Sequence, residues 1–254
     1  MIRQGKPISL SKRLQAIADM VPQGGFVADV GCDHGFLAIY LVQTGKIPGA
    51  LAMDVRKGPL AAATAHVKEA GLEELIETRL SDGLEAFRAG EARTLVCAGM
   101  GGPLMQRILT AYPEKTASFQ DFLLQPQSEI PQFRAFLREN GYKIVEERIL
   151  LEDGKYYFPM LVRKVQGVSA AQMKRDSFMT KTYDRYGEYL LKKKDPLLLQ
   201  YLTEREKTLK SILDSISAES QDEEGRERRE GRLSEIKSEL EMLQGAMNHV
   251  RLMP

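Results

Sequence analysis

Phe26-Val27-Ala28-Asp29-Val30-Gly31-Cys32-Asp33-His34-Gly35 is the stretch whose reading decides the fold. An apolar, β-branched run ends at an acidic residue, passes two glycines and opens into Phe36-Leu37-Ala38-Ile39-Tyr40-Leu41. That order predicts a buried strand, a tight turn and a helix. Gly31 has no Cβ, so a ligand can approach its backbone, and the free amides of the first helical turn face whatever sits above the strand end. The site is of nucleotide type, but not a dinucleotide site. A pyrophosphate calls for G-x-G-x-x-G, whereas here Cys32, Asp33 and His34 fill the slots between Gly31 and Gly35, and Asp29 would repel a diphosphate. A carboxylate at that strand end suits an amino group or a sulfonium. S-adenosylmethionine carries both. The competing reading is a plain strand–turn–helix with a solvated aspartate.

Downstream, Ala50-Leu51-Ala52-Met53-Asp54 predicts a second strand, and Asp54 stands at the offset from Gly31 where an acidic side chain meets ribose hydroxyls. Pro59 is expected to open a helix that Gly71 stops. A third strand, Leu75–Leu80, leads to Ser81-Asp82-Gly83, a turn that can also offer Asp82 to the amine of an adenine. The fourth, Thr94–Ala98, ends in Gly99-Met100-Gly101-Gly102-Pro103, whose glycines leave backbone open beside a cofactor, with a helix expected over Leu104–Thr110. Phe122–Pro126 is the fifth, and Ile130–Asn140 a helix. The segments Tyr142–Leu150 and Tyr156–Arg163 flank Glu152-Asp153-Gly154-Lys155 and read as a hairpin, so the last strand runs antiparallel. The expected class is α/β: a Rossmann-like class I methyltransferase sheet closed by an antiparallel hairpin, over residues 1–165.

Ahead of the first strand, Leu10, Leu14, Ile17, Ala18 and Val21 share one face of a helix that Ser11 can cap; Lys12 and Arg13 on it read as a solvated edge or, as on many short helices leading into a first strand, as lining of the cofactor site. Beyond the sheet, residues 166–254 read as a helical coiled-coil domain. Leu202, Leu209, Ile212 and Ile216 recur on one helix, and Leu233, Ile236, Leu240, Leu243, Met247 and Val250 form an a/d seam on the next, past a charged stretch around Gly225. Between the two domains, ahead of these helices, residues 174–194 hold seven basic against three acidic side chains, interleaved with Phe178, Tyr183, Tyr186 and Tyr189, a pattern that can grip phosphates.

The chain of 254 residues has a net charge of +1, so any nucleic-acid surface must be local. Cys32 and Cys97 are read as free thiols, and no metal-ligand spacing occurs. No membrane-length apolar run or leader-type start is seen, so the cytoplasm is expected, with no metal and no membrane partner and a monomer favoured.

Leu10–Leu14, Ala28-Asp29-Val30-Gly31-Cys32-Asp33-His34, Asp82-Gly83, Ala98-Gly99-Met100-Gly101-Gly102, Leu124-Gln125-Pro126 and Glu152-Asp153-Gly154-Lys155 occur in that order, and in this the chain resembles the bacterial tRNA (adenine-22-N1)-methyltransferase family, TrmK. The likeness spans nearly the whole chain. It implies an S-adenosylmethionine-dependent enzyme that methylates N1 of an adenine in tRNA. The family tends to carry Glu where this chain has Asp54 and Phe158. On this reading Asp54 holds the ribose, Asp29 the methionine amino end and Asp82 the adenine amine of the cofactor, with Arg13, Gly31, Gly83, Ala98 and Gly99 around it. The target base is expected between Asp33 and His34 on one side and Met100, Gly101, Gly102 and Gln125 on the other. His34 has a second reading, as a cap of the first helix after the motif. Without an Asn/Asp-Pro-Pro-Tyr stretch after the fourth strand, ring N1, whose lone pair lies in the plane, is the better acceptor than an exocyclic amine. A tRNA-binding protein with a structural cofactor site and a small-molecule methyltransferase are the alternatives.

Overall fold

The central strands are buried on both faces, which is why their sequences run apolar without alternation. Val27–Val30 (β1) and Ala50–Asp54 (β2) are buried at every position. In the computed structural model, which describes residues 7–165, 177–218 and 226–251, these strands lie inside a seven-stranded sheet. The remaining strands of that sheet are Ile76–Leu80 (β3), Thr94–Met100 (β4), Asp121–Pro126 (β5), Tyr142–Glu147 (β6) and Met160–Lys164 (β9). Their order is β3-β2-β1-β4-β5-β9-β6, parallel except where β9 pairs antiparallel with both β5 and β6. The chain leaves β1 for β2 and β3 on one side, then crosses to β4 on the other. β1 therefore pairs with β2 and β4 alike, and a crevice opens at its carboxyl end, the switch point of the sheet.

Helices Lys12–Met20 (α1), Phe36–Gln43 (α2) and Lys57–Glu69 (α3) belong to the half of the sheet built around β1, β2 and β3, and Gly102–Ala111 (α4), Pro113–Thr116 (α5) and Ile130–Glu139 (α6) to the half built around β4 and β5. Ser11 caps α1 through Oγ, which accepts from Leu14 N at 3.3 Å. Ile17, Ala18 and Met20 from α1, with Leu37, Ala38, Leu41 and Val42 from α2, fill the core against Val27, Ala52 and Val96.

Two expectations are corrected. The helix expected from Leu104 begins at Gly102, with Gly101 as its N-cap, so these glycines form the strand-to-helix junction itself. The terminal hairpin is also broken in two. Only β6 and β9 extend the main sheet, while Leu150–Glu152 (β7) and Lys155–Tyr157 (β8) form a ribbon of their own. The break falls at Pro159, which has no N–H to give; its carbonyl accepts from Arg148 N at 3.0 Å, and Ile149 and Phe158 turn into the core. Asp153 (φ +50°) and Gly154 (φ +73°) close the ribbon in the left-handed conformation that two-residue hairpin turns require. Its tip reaches α1, where Glu152 Oε1 accepts from Lys12 N at 2.6 Å.

Chain contacts divide the protein into two compact units, residues 1–174 and 175–254. The second contains Phe178–Tyr186 (α7), Glu188–Lys193 (α8), Pro196–Ala218 (α9) and Arg226–Arg251 (α10). Leu202, Leu209 and Ile216 of α9 are buried, as are Ile236, Leu243, Met247 and Val250 of α10, so the leucine-type positions do form a seam. Leu198 and Ala246 extend it. Glu239 bridges the helices, pairing with Arg205 at 2.9 Å and with Arg185 from α7. The basic stretch is two helices broken at Gly187 (φ +85°), and Tyr186 is core, not a stacking surface. The start at Met1–Lys6, the expected opening of the second domain at 166, the pair Lys174-Arg175 and the Gly225 stretch lie outside the described residues. No described helix is long and apolar enough to cross a membrane.

Candidate active site

A cavity of about 410 Å³ occupies the crevice above β1 and β4, within the range of small-molecule sites. Its floor is the quoted motif. Gly31 sits at φ +74°, a left-handed conformation that favours glycine, and a Cβ added there would also lie 2.3 Å from the flexible end of Met100, at Cε. Gly31 N and Cys32 N both donate to Met53 O, at 2.8 and 2.9 Å, which ties the loop to the end of β2. Asp33 follows at φ +51°, and Gly35 (φ +72°) is the N-cap of α2. That cap uses no side chain, so His34 does not cap the helix. Its ring instead stacks on Phe36 at 5.6 Å, and Phe36 stacks on His66 at 4.8 Å, an aromatic rim in which His34 Nε2 lies 3.8 Å from Asp33.

Four carboxylates line the cavity, those of Asp29, Asp33, Asp54 and Asp82. Asp29 is 4% exposed and has no ion-pair partner among the described residues. Burial, with a smaller contribution from Asp54, pushes its carboxyl up to about 7. Asp54, also buried, accepts from Arg56 N at 2.8 Å through Oδ1 and from Asp33 N at 3.3 Å through Oδ2, so it braces the motif loop from the neighbouring strand. Asp82 is exposed and takes both ends of the Arg107 guanidinium, at 3.0 and 3.3 Å. Ser81 holds that turn, donating to Gly83 O at 2.9 Å and accepting from Ala86 N at 3.0 Å. Cys32 and Cys97 are buried free thiols; burial and the nearby carboxylates push both up, which keeps them protonated and inert.

Arg13, Asp29, Gly31, Asp54, Asp82, Gly83, Ala98 and Gly99 all border this cavity, as do Asp33, His34 and Met100. Gly101, Gly102 and Gln125 do not. Gln125 is fully buried, its Oε1 accepting from Arg13 Nη1 at 3.2 Å, so it holds Arg13 in place from beneath. Gly102 is packed under Ser128, whose carbonyl a Cβ would meet at 2.9 Å. The sequence reading passed over Val55, Leu104, Ile108, Arg107 and Gln127. Val55 directly follows Asp54 and is 59% exposed, an apolar residue held at the rim of a polar turn. For Arg107, one position on an amphipathic helix, no sequence signal exists.

The arrangement suits one kind of ligand. A buried carboxylate at Asp29, a second at Asp54 and the apolar side chains of Val55, Leu104 and Ile108 offer places for a positive end, a diol and a flat ring. S-adenosylmethionine has those three parts.

Comparison with known proteins gives this geometry a family. Residues 10–160 match a methyltransferase domain model. Over 242 residues, covering 95% of this chain and 98% of the relative, the sequence is 34% identical to the tRNA (adenine(22)-N(1))-methyltransferase of Bacillus subtilis. The chain belongs to the tRNA (adenine(22)-N(1))-methyltransferase family. Two solved structures agree with that family over both units. The crystal structure of the B. subtilis m1A22 tRNA methyltransferase TrmK superposes with a TM-score of 0.79 at 32% identity, covering 94% of this chain and 99% of that one. A Streptococcus pneumoniae protein solved in complex with S-adenosyl-L-methionine superposes at 0.79 with 31% identity, covering 94% and 100%. The sheet of this chain, with its antiparallel closing strand β9, is the Rossmann-like arrangement expected from the sequence.

Proposed function

We propose that this chain is an S-adenosylmethionine-dependent tRNA methyltransferase acting on N1 of adenine 22, and that it works in the cytoplasm, where its tRNA substrate is. The observation that carries the reading is the buried, unpaired Asp29 at the β1–β4 switch point, in a chain similar from end to end to the B. subtilis enzyme. When bound, the cofactor supplies a methyl group on sulfonium sulfur: the S–CH₃ bond breaks, the N1–CH₃ bond forms, and the positive charge passes to the base.

The residues of this chain bind and align. Asp29 receives the ammonium end, and Asp54 accepts from the ribose hydroxyls while keeping the motif loop in place. Asp82 accepts from the adenine amine of the cofactor, with Arg107 beside it. Ring N1 needs no base to make it nucleophilic, so rate comes from alignment and from exclusion of water. The target adenine must present its Watson–Crick edge, which calls for a base turned out of its stack. It enters over Gly99 and Met100, and Asp33 or His34 on the opposite loop accepts from its amino group or takes up a proton afterwards. Transfer of labelled methyl to a tRNA transcript carrying A22, and none to the same transcript carrying G22, is the expected result. Equal labelling of both would place the acceptor elsewhere.

A further inference from the structure

Gln127 leaves the end of β5 next to the cavity. Its N–H donates to Met100 O at 2.8 Å, which fixes its backbone across the end of β4. Its Oε1 accepts from Lys155 Nζ at 3.5 Å, and Lys155 comes from β8 in the small ribbon. Beside Gln127 lies Gly99, exposed and at φ +82°. A Cβ on Gly99 would stand 3.6 Å from both Gln127 Nε2 and Arg13 Nη1. Gly99 is thus a bare floor with an amide and a guanidinium beside it.

The two groups read different things. A guanidinium only donates, whereas the Gln127 amide donates from Nε2 and accepts at Oε1. An adenine whose N1 faces the methyl donor still displays an N6–H donor and the N7 acceptor on its other edge. An Asn or Gln amide matches that pair bidentately, and guanine shows two acceptors there instead. The ammonium of Lys155 has no acceptor capacity, so its contact decides which end of the amide is oxygen. That oxygen keeps a second lone pair for N6–H. We infer that Gln127 holds the target adenine by its N6–N7 edge and so selects adenine over guanine, with Lys155 as the positioning residue for its amide. The inference deepens the tRNA-methyltransferase reading and rests on it.

The test pairs two changes, Gln127→Ala in the full-length protein and 7-deazaadenine, which lacks the N7 acceptor, at the target position of the tRNA. Wild type should lose about tenfold in kcat/KM with the 7-deaza substrate, and Gln127→Ala about ten- to a hundredfold with ordinary adenine. The variant should lose nothing further on the 7-deaza tRNA, because one contact cannot be removed twice. Gln127→Glu, which keeps the volume and an acceptor but removes the N7 donor, should behave alike, and calorimetric affinity for S-adenosylmethionine should be unchanged in both variants. Losses that multiply would overturn the inference while leaving the function standing. A matching fall in cofactor affinity would overturn it too, by assigning Gln127 to the cofactor. If wild type labels no tRNA, the functional reading fails and the inference with it.

Discussion

Asp29→Asn should make the empty protein more stable and the cofactor weaker, two effects of opposite sign from one charge. The asparagine is isosteric and stays neutral, whereas the carboxyl of Asp29 ionises only at about 7 against an ordinary 3.8, because burial and then Asp54 oppose its charge. An acid whose folded pKa is raised favours the folded state while protonated. That contribution is whole below about pH 4 and is lost as pH rises through 7. Relative to asparagine the cost is about 1.5 kcal/mol at pH 5 and approaches a ceiling of about 4 kcal/mol at pH 8, a large share of a typical stability of about 5–15 kcal/mol. Thermal unfolding of the ligand-free protein at both pH values should therefore show Asp29→Asn well above wild type at pH 8 and above it by less than half as much at pH 5. Calorimetry should show the reverse for binding. Wild-type affinity for S-adenosylmethionine should climb toward tenfold per unit between pH 5.5 and 7, as the carboxylate becomes available to the ammonium. The variant should show no such climb and bind about ten- to a hundredfold more weakly near pH 7.5. A variant no more stable than wild type at pH 8, or one that binds the cofactor normally, would refute the reasoning.

Asp54→Ala removes a carboxylate that braces Asp33 N and Arg56 N as well as the expected ribose contact; calorimetry should show cofactor affinity lower by at least tenfold, with the sheet intact by circular dichroism. Gly31→Ala forces a side chain at φ +74° into Met100 Cε; binding should fall more than tenfold, and adding Met100→Ala should restore part of it by relieving the contact but not the backbone strain. Leu243→Ala empties a fully buried seam position between α9 and α10; unfolding followed by far-ultraviolet circular dichroism should show a loss of about 2–5 kcal/mol. Affinity for tRNA should drop steeply with salt as phosphate contacts release counterions, and a flat salt dependence in a filter-binding assay would contradict a backbone-gripping surface.

Much of the fold could be read because its signals are local. Uninterrupted apolar runs mark β1 and β2 as central strands, and Asp153-Gly154 fixes a turn with two left-handed residues. The a/d steps of α10 predict which side chains are buried. What escaped depends on neighbours far along the chain. Nothing in Glu152–Tyr157 says that the hairpin tip will separate from the sheet and meet α1, since that follows from Pro159 and from a contact 140 residues away. In the site, strand-end acids and glycines are legible because few side chains serve those positions. Gln125 and Gln127 sit on either side of Pro126, equally polar in sequence; only the sheet's closure buries the first beneath Arg13 and leaves the second at the cavity. Arg107 reaches Asp82 from a helix turn that carries no motif at all.

The most direct measurement is nucleoside mass spectrometry with position mapping on unmodified tRNA incubated with the protein and S-adenosylmethionine. The account predicts 1-methyladenosine at position 22, with stoichiometric S-adenosylhomocysteine; methylation at an exocyclic amine, at another nucleotide, or only of small metabolites would contradict it.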